Sequence, residues 1–119
     1  MNEIRGLRAS LFGIEGPLWS LLKDVLAELD VVVDGAQPAD LVFVELTRGH
    51  PSTAQVAAAK ASAPTARVVA LLPFDDEQQS LEALLAGADA TFALGAPFGA
   101  FRELLSLLAG KPADGGPMA

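Results

Sequence analysis

Short apolar runs alternate with amphipathic helical stretches along almost the whole chain, and this alternation restricts the fold more than any single motif does. The runs are ASLFGI (9–14), VVV (31–33), LVFVEL (41–46), ARVVALL (66–72) and ATFAL (90–94). VVV and LVFVEL are β-branched or aromatic-rich and continuous enough for strands covered on both sides. After the first run, PLWSLLKDVLAEL starts with a proline suited to a first helical turn. It places Leu18, Leu21, Leu22, Val25 and Leu29 on one face, with Lys23, Asp24 and Glu28 elsewhere. Trp19 and Leu26 fall off that face and are expected beneath the last helix. STAQVAAAKAS (52–62) reads as an alanine-rich helix ended by Pro64. DDEQQSLEALLAGA opens with acids at its positive end and stops near Gly87. PFGAFRELLSLL (97–108) turns Phe98, Phe101, Leu104, Leu105 and Leu108 inward. Strand and helix in this order predict an α/β fold, a parallel sheet with helices on both faces.

Composition narrows the function. A chain of 119 residues holds one domain, expected over 1–110, and the small, Pro/Gly-rich 111–119 reads as a flexible tail or the start of a linker. Apolar residues make up 51%, yet no run approaches the roughly 20 residues of a bilayer span. A soluble protein with no membrane partner is expected. Without a leader-like N-terminus, the expected setting is cytoplasmic. With no cysteine there is no disulfide framework, thiolate metal site or cysteine nucleophile. Fifteen acids against eight bases give a net charge of −7, which repels a phosphate backbone. Nucleic acid is not a direct partner on this reading.

In open sheets of this class, chemistry gathers at the carboxyl ends of the strands. Here that edge carries Glu15 and Gly16, Asp34, Glu45 to His50, Leu72 to Asp76, and Gly95 to Pro97. Three stretches on it, PADLVFVEL, ARVVALLPFDDE and LLAGADATFALGAPF, resemble successive landmarks of the response-regulator receiver domain. The resemblance runs from about Arg8 to Leu108, and AGAD followed shortly by PF is its most telling part. It implies a flavodoxin-like three-layer sandwich with a five-stranded parallel sheet in the order 2-1-3-4-5. It also implies a magnesium site of paired acids after the first strand and an aspartate after the third. That aspartate accepts a phosphoryl group from a histidine kinase, and a Thr or Ser after the fourth strand and a Lys before the last proline sense it.

Carried over residue by residue, the resemblance implies a site that has lost this chemistry. The acid pair falls on Ile14 and Glu15, and the acceptor position on Glu45, whose extra methylene gives the wrong reach beside an octahedral magnesium ion. The hydroxyl position falls on Leu72. The lysine position falls on Gly95 or Ala96, in a loop about two residues longer than the family's, so no cation neutralises charge there. The expectation is a pseudo-receiver: not an enzyme, with no metal and no cofactor. The second crossover also departs from the family. Only DGAQPA separates VVV from DLVFVEL, about 20 Å fully extended, so the second helix is expected to be shortened or missing and apolar sheet surface near the second strand uncovered.

The other candidates have ordinary explanations. His50 is a lone loop histidine and reads as solvated. Asp75, Asp76 and Glu77 are accounted for by the helix dipole. The glycine-rich end has neither nucleotide-binding pattern. Glu45 reads as a solvated rim carboxylate rather than a constitutive mimic of the phosphorylated state. The preferred function is a phosphorylation-independent signalling module that binds a protein partner or itself as a homodimer. The resemblance places that surface on the family's fourth helix, fifth strand and fifth helix, here Glu82, Leu85, Phe92, Phe101 and Leu107. The alternative is a small-molecule-binding domain whose pocket is filled by Ile14, Leu72 and Phe74, and a weaker one is residual phosphotransfer on Glu45.

Overall fold

The structure, a computed structural model, describes residues 7–14, 16–33, 40–46, 52–73 and 76–109, without the side chains of Ser52, Phe98 and Ala109. Five strands, β1 (Arg8–Phe12), β2 (Val32–Val33), β3 (Leu41–Glu45), β4 (Arg67–Leu72) and β5 (Ala90–Ala93), form one parallel sheet in the order β2-β1-β3-β4-β5. Four helices surround it: α1 (Gly16–Glu28), α2 (Ser52–Ser62), α3 (Glu77–Leu85) and α4 (Phe98–Ala109). None of them is long and apolar enough to cross a membrane.

Alternation along each strand divides the core in two. Leu41 and Phe43 of β3 join Ala9, Val69 and Leu71 in a cluster roofed by Leu22 and Leu26 of α1 and by Phe101, Leu105 and Leu108 of α4. Val42 and Val44 point the other way, with Val68, Ala70 and Leu72, against Val56 and Ala59 of α2 and Ala83 of α3. Both clusters use the central strands β3 and β4, which is why those two read as continuous apolar runs. Phe101 fixes α4 to the sheet through rings: its centroid lies 5.9 Å from Phe43 and 5.0 Å from Phe92, the latter edge-on.

β2 is shorter than its sequence suggests and is covered on one side only. Val31 is buried before the strand begins, Val33 packs on the α1 and α4 side, and Val32 is half exposed. The reason is topological. β2 ends at Val33 and β3 is reached by Asp40, leaving residues 34–39, which lie outside the described residues; a crossover carrying a helix takes a dozen or more. The face that Val32 shares with Ser10 and Phe12 therefore has α2 over its β3 and β4 part and no helix among the described residues over β2.

α1 also differs in detail from its periodicity. Leu21 is exposed and Leu26 fully buried. These two flank the Leu18, Leu22, Val25 and Leu29 stripe on opposite sides, and the sheet lies on the Leu26 side. Trp19 is exposed instead of buried, with the Lys23 ammonium 5.1 Å from its ring centroid, and is not a member of the cluster that α1 and α4 share.

Candidate functional site

The carboxyl edge brings the sequence-matched positions together along the ends of β1, β3, β4 and β5, but not into one pocket. After β1, Gly13 adopts a φ of +70°, a left-handed turn that glycine takes without a Cβ clash. The turn drops Ile14 into the core beneath α1, where it is 4% exposed. Glu15 lies outside the described residues. Leu72 ends β4 and is 2% exposed, but it belongs to the opposite cluster, under α2 and α3. Ile14 and Leu72, which the resemblance matches to a ligating acid and a phosphate-sensing hydroxyl, are thus core residues on opposite faces. They do not line a common cavity, which removes two of the three side chains from the small-molecule alternative; the third, Phe74, lies outside the described residues.

Glu45 ends β3 in register with Leu71 of β4 and is partly exposed. Its carbonyl accepts a bond from Gln55 Nε2 at 3.2 Å, which ties the strand end to α2. Around it is an open cleft of about 340 Å³ between the end of β1 and α2, with Phe12, Gly13, Val44, Ala54, Gln55 and Ala58 as its other described walls. None of these described walls is a lysine, arginine or hydroxyl, so the described part of the cleft offers an anion apolar surface, one amide and the Glu45 carboxylate. The residues matched to the family's lysine lie further along the edge. Gly95 is exposed with open space around it, and Ala96, its amide bonded to Ala93 at 3.0 Å, lines a small apolar cleft of about 160 Å³ beside Leu21, Leu94 and Phe101. Among the described residues no three acids or histidines gather as a metal site would require. His50 and Asp75 lie outside the described residues. Asp76 caps α3, its Oδ1 accepting the Gln78 and Gln79 amides at 3.0 and 3.1 Å, while Glu77 sits in the first turn.

The surface expected on α3, β5 and α4 is only partly a surface. Phe101 is buried beneath α4 and is not available to a partner, because its ring fills the space between Phe43 and Phe92. Glu82 and Phe92 are partly buried, and Leu85 and Leu107 are exposed. The sequence reading missed the orientation of α3 as a whole. Ala83 is its buried residue, and Ser80 Oγ lies 2.6 Å from Thr91 Oγ1 of β5, so small and polar side chains face the sheet. Leu81, Leu84 and Leu85 face outward at 57, 44 and 77% exposure. The signal for this was present: Ser80, Ala83 and Gly87 share one side of the helical wheel, and only small residues allow a helix to lie close on a sheet.

A five-stranded parallel sheet in the order 2-1-3-4-5 with helices on both faces is the flavodoxin-like architecture, and its particular form here is that of response-regulator receiver domains. No protein-family model matches the chain, and no curated protein matches it. Among solved structures it is similar to a response regulator from Thermotoga maritima, with a TM-score of 0.72 and 16% identity over 87% of this chain and 97% of that one. A CheY-like protein (tadZ) from Pseudomonas aeruginosa PAO1 superposes with a TM-score of 0.68 and 22% identity over 87% of this chain and 99% of the other. A Burkholderia pseudomallei response regulator with a phosphorylated aspartic acid and a calcium ion gives 0.69 and 18% over 87% and 68%. At these identities the likeness is one of fold.

Proposed function

We propose that the chain is a pseudo-receiver, a non-enzymatic module of the two-component receiver type that works by binding a protein partner, or itself, without being phosphorylated. The observation that carries this is the fate of Leu72. The position from which a receiver's hydroxyl would reach the phosphoryl group holds a side chain that is 2% exposed and packed in the α2 and α3 core. A phosphoryl group on the neighbouring strand would bring about two negative charges and three acceptor oxygens to a cleft with no described cation or hydroxyl. Ile14 argues in the same direction, since a buried isoleucine supplies no oxygen for magnesium.

With no acceptor to switch it, the module is regulated by the availability of its partner or by its own concentration. Its setting is the cytoplasm, where two-component proteins meet their kinases and effectors. The test is incubation with acetyl phosphate, and separately with beryllofluoride, in the presence of magnesium. The expected result is no stoichiometric mass increment and no chemical-shift change around Glu45. A mass increment lost in Glu45→Gln would overturn the proposal.

A further inference from the structure

We infer that the outward leucines of α3, Leu81, Leu84 and Leu85, form a docking face for a basic amphipathic helix of a protein partner. The inference rests on reading the chain as an interaction module and adds the chemistry of what it binds.

Three leucines at the i, i+3, i+4 spacing point straight away from the sheet on one short helix. Scattered apolar residues on a surface are ordinary; a contiguous stripe on the outer face of a helix, with its smallest residues turned inward, is the reverse of what core burial selects. The orientation is held from both sides. Asp76 fixes the first turn as the N-cap, and the Ser80 to Thr91 hydroxyl contact holds the inner face on β5.

Charge then selects the occupant. From Val68 to Phe101 the chain contains five acids and no base. Glu77, Gln78 and Glu82 lie beside the leucine stripe and Asp76 caps its amino end, while Lys60 of α2 turns toward the Gly87 carbonyl at 3.2 Å and Asp89 at 4.0 Å. An apolar stripe edged by acids and an amide, with no base on its own helix, complements a helix that offers leucine-like anchors edged by Lys or Arg. A second copy fits less well. A two-fold contact would set the same acidic rim against itself, on chains of net charge −7. An anionic membrane is repelled for the same reason.

The test uses the whole chain and a labelled 18-residue leucine/lysine amphipathic peptide, with a leucine/glutamate peptide of the same pattern as its counterpart. Anisotropy and amide chemical shifts are the readouts. The leucine/lysine peptide is expected to bind with shifts centred on residues 77–86 and to weaken as salt is raised. Replacing the stripe by Leu81→Gln, Leu84→Gln and Leu85→Gln together should weaken it at least about tenfold, while Leu21→Gln, at an exposed position on α1, leaves it unchanged. If the triple variant unfolds by circular dichroism, Leu85→Gln alone carries the same comparison. Each of four results would overturn the inference: no saturable binding below about 1 mM, equal binding of the glutamate peptide, shifts that map away from α3, or binding unaffected by the variants. So would a concentration-dependent dimer abolished by the triple variant, or vesicle binding through the same residues. None of these outcomes touches the phosphorylation test, so failure of this inference and failure of the pseudo-receiver reading are separately visible.

Discussion

Asp89 closes the amino edge of β4. Its Oδ2 accepts the Val68 amide at 2.7 Å, and its own amide donates to the Val68 carbonyl at 2.8 Å. Asp40 does the same for β1, accepting the Arg8 amide at 2.9 Å and donating to the Arg8 carbonyl at 2.8 Å. In both cases an Ala-Asp pair immediately precedes a strand, and the aspartate satisfies a backbone donor that the sheet leaves open at its edge. Replacing Asp89 by Ala should cost about 1.5 kcal/mol, the low end for a hydrogen bond to a charged group, because this carboxylate is exposed to solvent. Asp89→Asn, which keeps an acceptor, should cost less. Urea unfolding of the two variants checks the order, and equal losses would mean that the carboxylate's charge rather than its acceptor matters.

Single substitutions toward a working phosphorylation site should destabilise the fold instead of activating it. Ile14→Asp places a carboxylate among apolar side chains and should cost more than about 3 kcal/mol, or leave the acid protonated. Leu72→Thr loses packing and buries a hydroxyl, for about 2 to 3 kcal/mol. Glu45→Asp is tolerated, being on the rim. Thermal unfolding ranks the three, and acetyl phosphate treatment of each should give no mass increment.

Phe101 and Leu107 lie on the same helix and should separate core from surface. Phe101→Ala empties the space between Phe43 and Phe92 and should cost about 3 to 5 kcal/mol. Leu107→Gln, at an exposed position, should change stability by less than about 0.5 kcal/mol. Denaturant midpoints of the two variants provide the comparison; a large loss for Leu107→Gln would place that leucine in a contact of the isolated chain, such as a dimer.

The Ser80 and Thr91 hydroxyls should be coupled. Ser80→Ala or Thr91→Val alone leaves one partly buried hydroxyl without its partner and should cost about 1 kcal/mol, whereas the double variant should cost less than the sum. A double-mutant cycle with additive losses would show that this contact does not hold α3 on β5.

The sheet was legible in the residues because β3 and β4 are buried on both sides and so read as unbroken apolar runs, with Gly87, Pro17 and Pro64 marking helix limits between strands. The strand ends were legible too, since β3 closes on Glu45 and β4 on Leu72, where their apolar runs stop or meet Pro73. What could not be read was the rotation of each helix about its axis. In α1, Leu21 and Leu26 sit at equal distances from the stripe, and only the position of the sheet decides between them. In α3 the sequence placed Leu85 at the surface but not the side that meets the sheet, which Ser80 and Ala83 occupy because a hydroxyl pair joins the helix to β5. Exposure at β2 was legible from chain length alone, since only DGAQPA separates VVV from DLVFVEL, and Val32 is half exposed.

The brevity of β2 has a consequence for how copies of this chain behave at high concentration. An outer strand with a free row of amides and carbonyls is a template on which another molecule can add a strand, and a run of valines with one half-exposed side chain is a sticky one. Here the row is only Val32 and Val33, paired to Arg8 and Ala9 on one side. Two residues offer too few groups to hold a foreign strand in register. The same brevity that leaves Val32 half exposed therefore blunts this edge of the sheet as a seed for polymerisation, with no helix among the described residues lying over its Val32 face.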